Sequence, residues 1–265
     1  MSHDRIRQVF VTVSGLLMVL GLLLGTGVLG TEVEDSAGGS LSAEATLIAP
    51  AGPAFSIWSV IYLGLAAYVV WQWLPANTTH ERARATGWWA GASMLLNGAW
   101  LLVTQQGWLW VSVVVILALA VVLKVVIARL TALPAAGWGD LVAADTTFGL
   151  YLGWVAVAAC ANVAATLVGS GVPATGAVAT WVTVALVAVV AGLGLFYAVR
   201  FRARLAVALA MAWGLGWVGY GRLGDEPEST TVGVAALAAA VVIVLGTLFQ
   251  RSRTEITSIV RPFSA

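Results

Sequence analysis

Trp154, Ala158 and Asn162 stand four residues apart in the stretch LYLGWVAVAACAN, residues 150–162. That spacing puts a flat aromatic surface, a small residue and an amide on one stripe of a helix. Two further stretches repeat the mixture. FSIWSVIY holds Phe55, Trp58 and Tyr62, and SMLLNGAW holds Asn97 and Trp100. Such side chains bind rather than transform. Indole and phenol rings stack on flat apolar molecules, and an amide meets a polar edge. No acid–base pair or nucleophile dyad accompanies them. The single cysteine, Cys160, falls mid-span on a different face of its helix and reads as packing. The two histidines, His3 and His80, are far apart in sequence and give no basis for a metal site.

The elements that must position these residues are membrane helices. The chain has 265 residues, of which 60% are hydrophobic and 9% charged, and its mean hydropathy is +0.96. Soluble domains carry roughly 25% charged residues; with 9%, this chain cannot cover a water-facing surface. The apolar runs are continuous, not alternating, so they read as helices and not as barrel strands. Eight spans are expected, at about 9–30, 54–74, 85–105, 108–128, 144–168, 177–199, 204–221 and 231–250. With eight spans, twelve of the thirteen basic residues fall on the side of the termini, and only Arg222 falls on the other. Glu32, Glu34, Asp35, Glu44, Asp225, Glu226 and Glu228 share that second side. The positive-inside rule then places both termini in the cytoplasm of a cell-membrane protein. No basic stripe points to nucleic acid; the expected partners are membrane lipids and a lipophilic small molecule.

Counted at about 1.5 Å per residue, Trp58, Asn97, Trp100, Trp154, Ala158 and Asn162 reach the outer half of the membrane. Either asparagine satisfies itself by bonding between helices or it faces a ligand. Their shared depth favours a cavity, with the acidic, Gly/Ser-rich stretch 31–53 as its lid or as a plain connector. Trp71, Trp73, Trp88, Trp89, Trp108, Trp110, Trp138 and Trp181 fall near span ends, where indoles form the interfacial belt.

On these stretches the chain resembles the TspO/MBR family of tryptophan-rich sensory proteins. Phe55, Trp58, Ser59 and Tyr62 match one family motif, and Leu96, Asn97 and Trp100 a second. Tyr151, Leu152, Trp154, Ala158 and Asn162 match the third, which is the most specific. Ser93 stands where the family has Gln, and Leu150 where it has Pro. The resemblance covers residues 1 to about 170. It implies a five-helix core over 1–170, with 171–265 added as a three-helix extension and a cytoplasmic tail. It also implies a pocket for porphyrins, sterols or other lipophilic molecules, built from Phe55, Trp58, Tyr62, Asn97, Trp100, Tyr151, Trp154, Ala158 and Asn162. No cofactor is required; a tetrapyrrole is the implied ligand. Some bacterial members resemble light-dependent porphyrin-degrading enzymes, for which Trp58 and Trp154 would matter here. A secondary transporter is the competing reading, although every charged residue lies at or near a span end.

In the extension, Trp213, Trp217 and Tyr220 share a helix face, expected as a packing ridge. Gly21/Gly25, Gly87/Gly91 and Gly149/Gly153 are close-packing pairs, serving either the monomer or a homodimer. A fragment ending near Gly171 is expected to keep binding.

Overall fold

A computed structural model describes the backbone of residues 2–25 and 36–260, and the side chains of 2–24 and 38–253. The protein is an all-α membrane bundle. Its helices are α1 (His3–Gly25), α2 (Ile57–Trp71), α3 (Glu81–Gln105), α4 (Leu109–Ala132), α5 (Trp138–Gly169), α6 (Gly176–Arg200), α7 (Leu205–Gly224) and α8 (Thr230–Val260). A 3-10 turn, Gly52–Ser56, leads into α2. Six helices are long and apolar enough to cross a membrane; α3 and α7 are not among them. Glu81, Arg82 and Arg84 open α3, while glycines, aromatics and Arg222 lower the hydropathy of α7. Both are nevertheless of spanning length, at 25 and 20 residues. Each also packs between other long helices, α3 between α1 and α4, α7 between α5 and α8. The expected count of eight rests on that placement for these two.

The central helix is α5, in which every residue from Tyr151 to Val157 is buried. It can be central because small residues let neighbours approach. A Cβ on Gly153 would collide with the backbone carbonyl of Val207, and one on Gly149 would meet Ala206 Cβ at 2.7 Å. Both contacts lie on α7. A Cβ on Gly21 would lie 3.0 Å from the Gly98 Cα, and Gly87 and Gly91 receive the Arg7 and Phe10 side chains. These glycines are therefore occupied by contacts within one chain.

The helix α5 starts earlier than hydropathy indicates. Asp140 and Asp145 depress the sequence signal, but both are buried, and residues Leu141–Thr146 form a π-helical segment. Arg82 pairs with both Asp140 and Asp145, and Arg204 pairs with Asp145. Arg82 also donates to the Leu133 carbonyl, and Arg204 Nε donates to Thr131 Oγ1 at 3.0 Å. This network gathers the 133–137 and 201–204 connections at one end of the bundle. It also corrects one reading of the tryptophans. Trp71 is not an interfacial indole; it is 4% exposed, and its Nε1 donates to Asp140 Oδ1 at 3.1 Å. A buried carboxylate needed a donor, and Trp71 supplies it. Trp108, Trp110, Trp138 and Trp181 are exposed.

Candidate functional site

At the opposite end, residues 40–50 close over a cavity of about 60 Å³. Ser40, Leu41, Ser42, Thr46, Ala49 and Pro50 form its roof. The body is lined by Phe55 ahead of α2, by Trp100 on α3, and by Trp154, Ala158 and Asn162 on α5. The turn-by-turn spacing of Trp154, Ala158 and Asn162 thus lines one wall, with Val157, Ala161 and Ala165 beside it. Phe55 meets Trp154 edge-on, ring centres 5.7 Å apart.

The other expected site residues stand behind this wall. Trp58 stacks on Tyr62 at 5.3 Å and meets Trp154 edge-on at 6.2 Å and Tyr151 edge-on at 5.9 Å. The Tyr62 hydroxyl donates to Asn97 Oδ1 at 3.2 Å, and the Tyr151 hydroxyl donates to the Ser93 carbonyl at 3.3 Å. Trp58, Tyr62, Tyr151 and Asn97 therefore brace the rings that face the cavity and do not line it themselves. Edge-to-face ring pairs are each worth about 0.5–1.5 kcal/mol beyond their buried area, so this cluster holds Trp154 in one orientation.

Asn162 is saturated by the bundle. Trp100 Nε1 donates to its Oδ1 at 2.8 Å, and its Nδ2 donates to Ser112 Oγ at 2.9 Å. Its amide thus joins α3, α4 and α5 under the cavity. Two other polar atoms have no such partner. Trp154 Nε1 and Thr46 Oγ1 are buried without a hydrogen-bond partner among the described residues. Both side chains line the cavity. A buried unpaired donor costs about 1–3 kcal/mol, and an acceptor in the cavity would relieve that cost.

The roof is fastened from α7. Trp213 Nε1 donates to the Ala54 carbonyl at 2.9 Å, and Ala51 N donates to the Trp217 carbonyl at 3.3 Å. One turn further, Arg222 is 1% exposed. Its Nη1 donates to the carbonyls of Thr46 at 3.4 Å and Pro227 at 3.0 Å. Its Nη2 donates to those of Ala43 at 3.3 Å and Glu226 at 3.4 Å. Sequence reasoning marked Arg222 only as the lone basic residue of its side. Its acceptors are loop carbonyls, which no side-chain motif records. Thr46, Ser40 and Ser42 were missed for a related reason: their place depends on how the loop folds back. Trp213, Trp217 and Tyr220 share one face as expected, with edge-on contacts at 5.6 and 5.3 Å, but Trp213 and Tyr220 are exposed, so the face is not the packing ridge expected of it.

Pockets for drug-sized ligands occupy about 300–1,000 Å³. This cavity, at about 60 Å³, is too small for a molecule the size of a tetrapyrrole without widening. The arrangement can stack a flat apolar body, offer it an indole N–H and a hydroxyl, and exclude water from it.

No significant match to a curated protein or to a solved structure is found. A family model described as TSPO-like protein matches residues 8–249, which runs through all eight helices. With a match over that much of its length, the chain belongs to the TSPO-like protein family.

Proposed function

We propose that this protein is a membrane receptor for a flat lipophilic molecule, porphyrin-like in shape, held between α3, α5 and the 40–50 roof. The observation that carries this reading is the pair of unpartnered polar atoms, Trp154 Nε1 and Thr46 Oγ1, in the lining of an aromatic cavity. The ligand stacks on Trp154 and Trp100 and turns an acceptor edge towards Trp154 Nε1. Ala158 leaves room for it. Both termini lie in the cytoplasm of the cell membrane and the roof faces outside, as the distribution of basic residues supports.

A second reading, a transporter for the same class of molecule, is favoured by the Arg82–Asp145–Arg204 network. That network closes the end of the bundle opposite the roof, so a molecule passing from the cavity to the other side would have to open it.

The test is a titration of the purified, reconstituted protein with protoporphyrin, followed by tryptophan fluorescence in light and in darkness. Saturable quenching in both conditions, weakened in Trp154→Phe and absent in Ala158→Phe, supports the receptor. Loss of porphyrin absorbance in the light alone points to degradation. Quenching that never saturates, or is the same in all three proteins, overturns the reading. Flux of porphyrin into vesicles separates transport from binding.

A further inference from the structure

A second hollow, of about 290 Å³, lies between α1 and α2 on the opposite half of the bundle from the roof. Its walls are apolar along most of their length, with Gly15, Met18, Leu65 and Val69 among them. Gly15 stands on its α1 wall, where a Cβ would come to 3.4 Å from Val69 and 3.7 Å from Met94. Along α1 it runs from Thr12 to Leu22, a length of ~15 Å at the helical rise. That is half of a hydrocarbon core about 30 Å thick, the depth of one leaflet.

Tyr62 also borders the hollow, but its hydroxyl is spent on Asn97 Oδ1 at 3.2 Å; the charged and interfacial groups stand at the Thr12 mouth. Thr12 Oγ1 accepts from Trp73 Nε1 at 2.9 Å, and the Arg5 guanidinium lies 5.4 Å over the Trp73 ring. The neighbouring arginines are taken. Arg7 and Arg84 both pair with Asp4, at 3.2 and 2.7 Å. Arg5 is exposed and has no carboxylate partner among the described residues. A cation and an indole therefore stand where a leaflet-deep apolar groove meets the membrane surface.

We infer that the α1–α2 groove is a site for an anionic phospholipid of the leaflet on the N-terminal side. One acyl chain fills the groove from Thr12 towards Leu22, and the phosphate meets Arg5 beside Trp73. The chain length supplies the fit and the cation supplies the headgroup preference. Basic residues near a bilayer surface attract anionic lipid, and interfacial Trp fixes the level of the mouth.

The test is native mass spectrometry of the full-length protein in detergent, offered phosphatidylglycerol and phosphatidylcholine with the same acyl chains. The parent is expected to retain phosphatidylglycerol with roughly five-fold preference, the effect of one basic residue at an anionic surface. Arg5→Gln should bind both lipids equally. Ala66→Phe fills the groove from its exposed side and should retain neither, with elution and melting temperature as in the parent. Equal retention of phosphatidylglycerol by all three proteins overturns the site. Loss in Arg5→Gln but not in Ala66→Phe reduces it to a surface charge effect and overturns the groove. A parent that runs as a dimer, with Ala66→Phe monomeric and lipid retention unchanged, gives the groove to a second copy of the chain and also overturns it.

Discussion

The Trp100 indole donates to Asn162 Oδ1 at 2.8 Å, so the amide on α5 that lines the cavity is spent on holding an aromatic wall from α3. Asn162 is thus a positioning residue for Trp100, with Ser112 on α4 as its other partner. Asn162→Ala takes the acceptor from the half-buried Trp100 N–H, while the Ser112 hydroxyl keeps its bond to the Leu109 carbonyl at 2.7 Å. The expected destabilisation is about 1–3 kcal/mol, read as a lowered melting temperature in detergent. Porphyrin affinity should fall with it, because Trp100 loses its orientation. An unchanged melting temperature would show that the amide is dispensable to the bundle.

Ala158→Phe should do the opposite. Ala158 is only partly buried and borders open space in the cavity, so the larger ring is accommodated where a ligand would sit. Overpacking a filled core costs about 1–3 kcal/mol; here the melting temperature should stay within the lower end of that range while porphyrin quenching is lost. A variant that melts early and still binds would place the ligand elsewhere.

The buried ion network predicts a strong and ordered loss of stability. Asp145 is held between Arg82 and Arg204, whose side chains are 2% and 18% exposed. Asp145→Asn leaves the Arg82 charge underpaired in the interior, at a cost of about 3–5 kcal/mol. Arg204→Gln removes the more exposed partner and leaves Asp145 paired with Arg82, so it should cost less. Denaturation of the two variants in detergent gives the order. Equal effects would mean that Arg204, not Arg82, carries the pairing.

Much of this site was legible because its residues repeat within single helices. The Trp154, Ala158, Asn162 stripe follows from the four-residue spacing, and the glycine pairs followed from theirs. What stayed hidden joins distant parts of the chain. Trp71 looked interfacial because it ends an apolar run; its burial depends on Asp140, which lies in another helix. The start of α5 was read late because Asp140 and Asp145 lower the hydropathy of a segment whose charges are neutralised by Arg82 and Arg204. The roof depended on Arg222, which reads backbone carbonyls and not side chains. Asn97 and Asn162 are expected at a shared depth, yet their amides bond to Tyr62 and Trp100, and depth alone does not reveal that choice.

Orientation has a direct test in a Cys160→Ser background. Glu44 lies exposed by the roof, and Ala76 lies exposed in the connection between α2 and α3. Glu44→Cys should react with a membrane-impermeant thiol reagent in intact cells, and Ala76→Cys should react only after lysis. The reverse pattern would invert the protein and turn the roof towards the cytoplasm.

The last prediction concerns what the final three helices contribute. A fragment ending at Gly171 lacks α7, and with it the donors to the carbonyls of Ala43, Thr46 and Ala54. It also leaves the Gly149 and Gly153 face of α5 without the backbone that packs there. Single helices stay inserted in lipid because their backbone bonds are internal, so the fragment should keep its helicity. Its roof, however, has lost its fastening, and porphyrin binding should fall sharply. Full-length Arg222→Gln and Trp213→Phe separate the fastening from the packing. Each leaves α7 against α5 but loosens the roof, so ligand should both enter and leave faster, with a smaller change in affinity. Stopped-flow quenching on the three proteins distinguishes the cases. Faster exchange in both point variants, with weak binding in the fragment, makes the eight helices one binding unit. A fragment that binds with the parent's affinity and rates would mean that the roof holds itself, and that the site belongs to residues 1–171 alone.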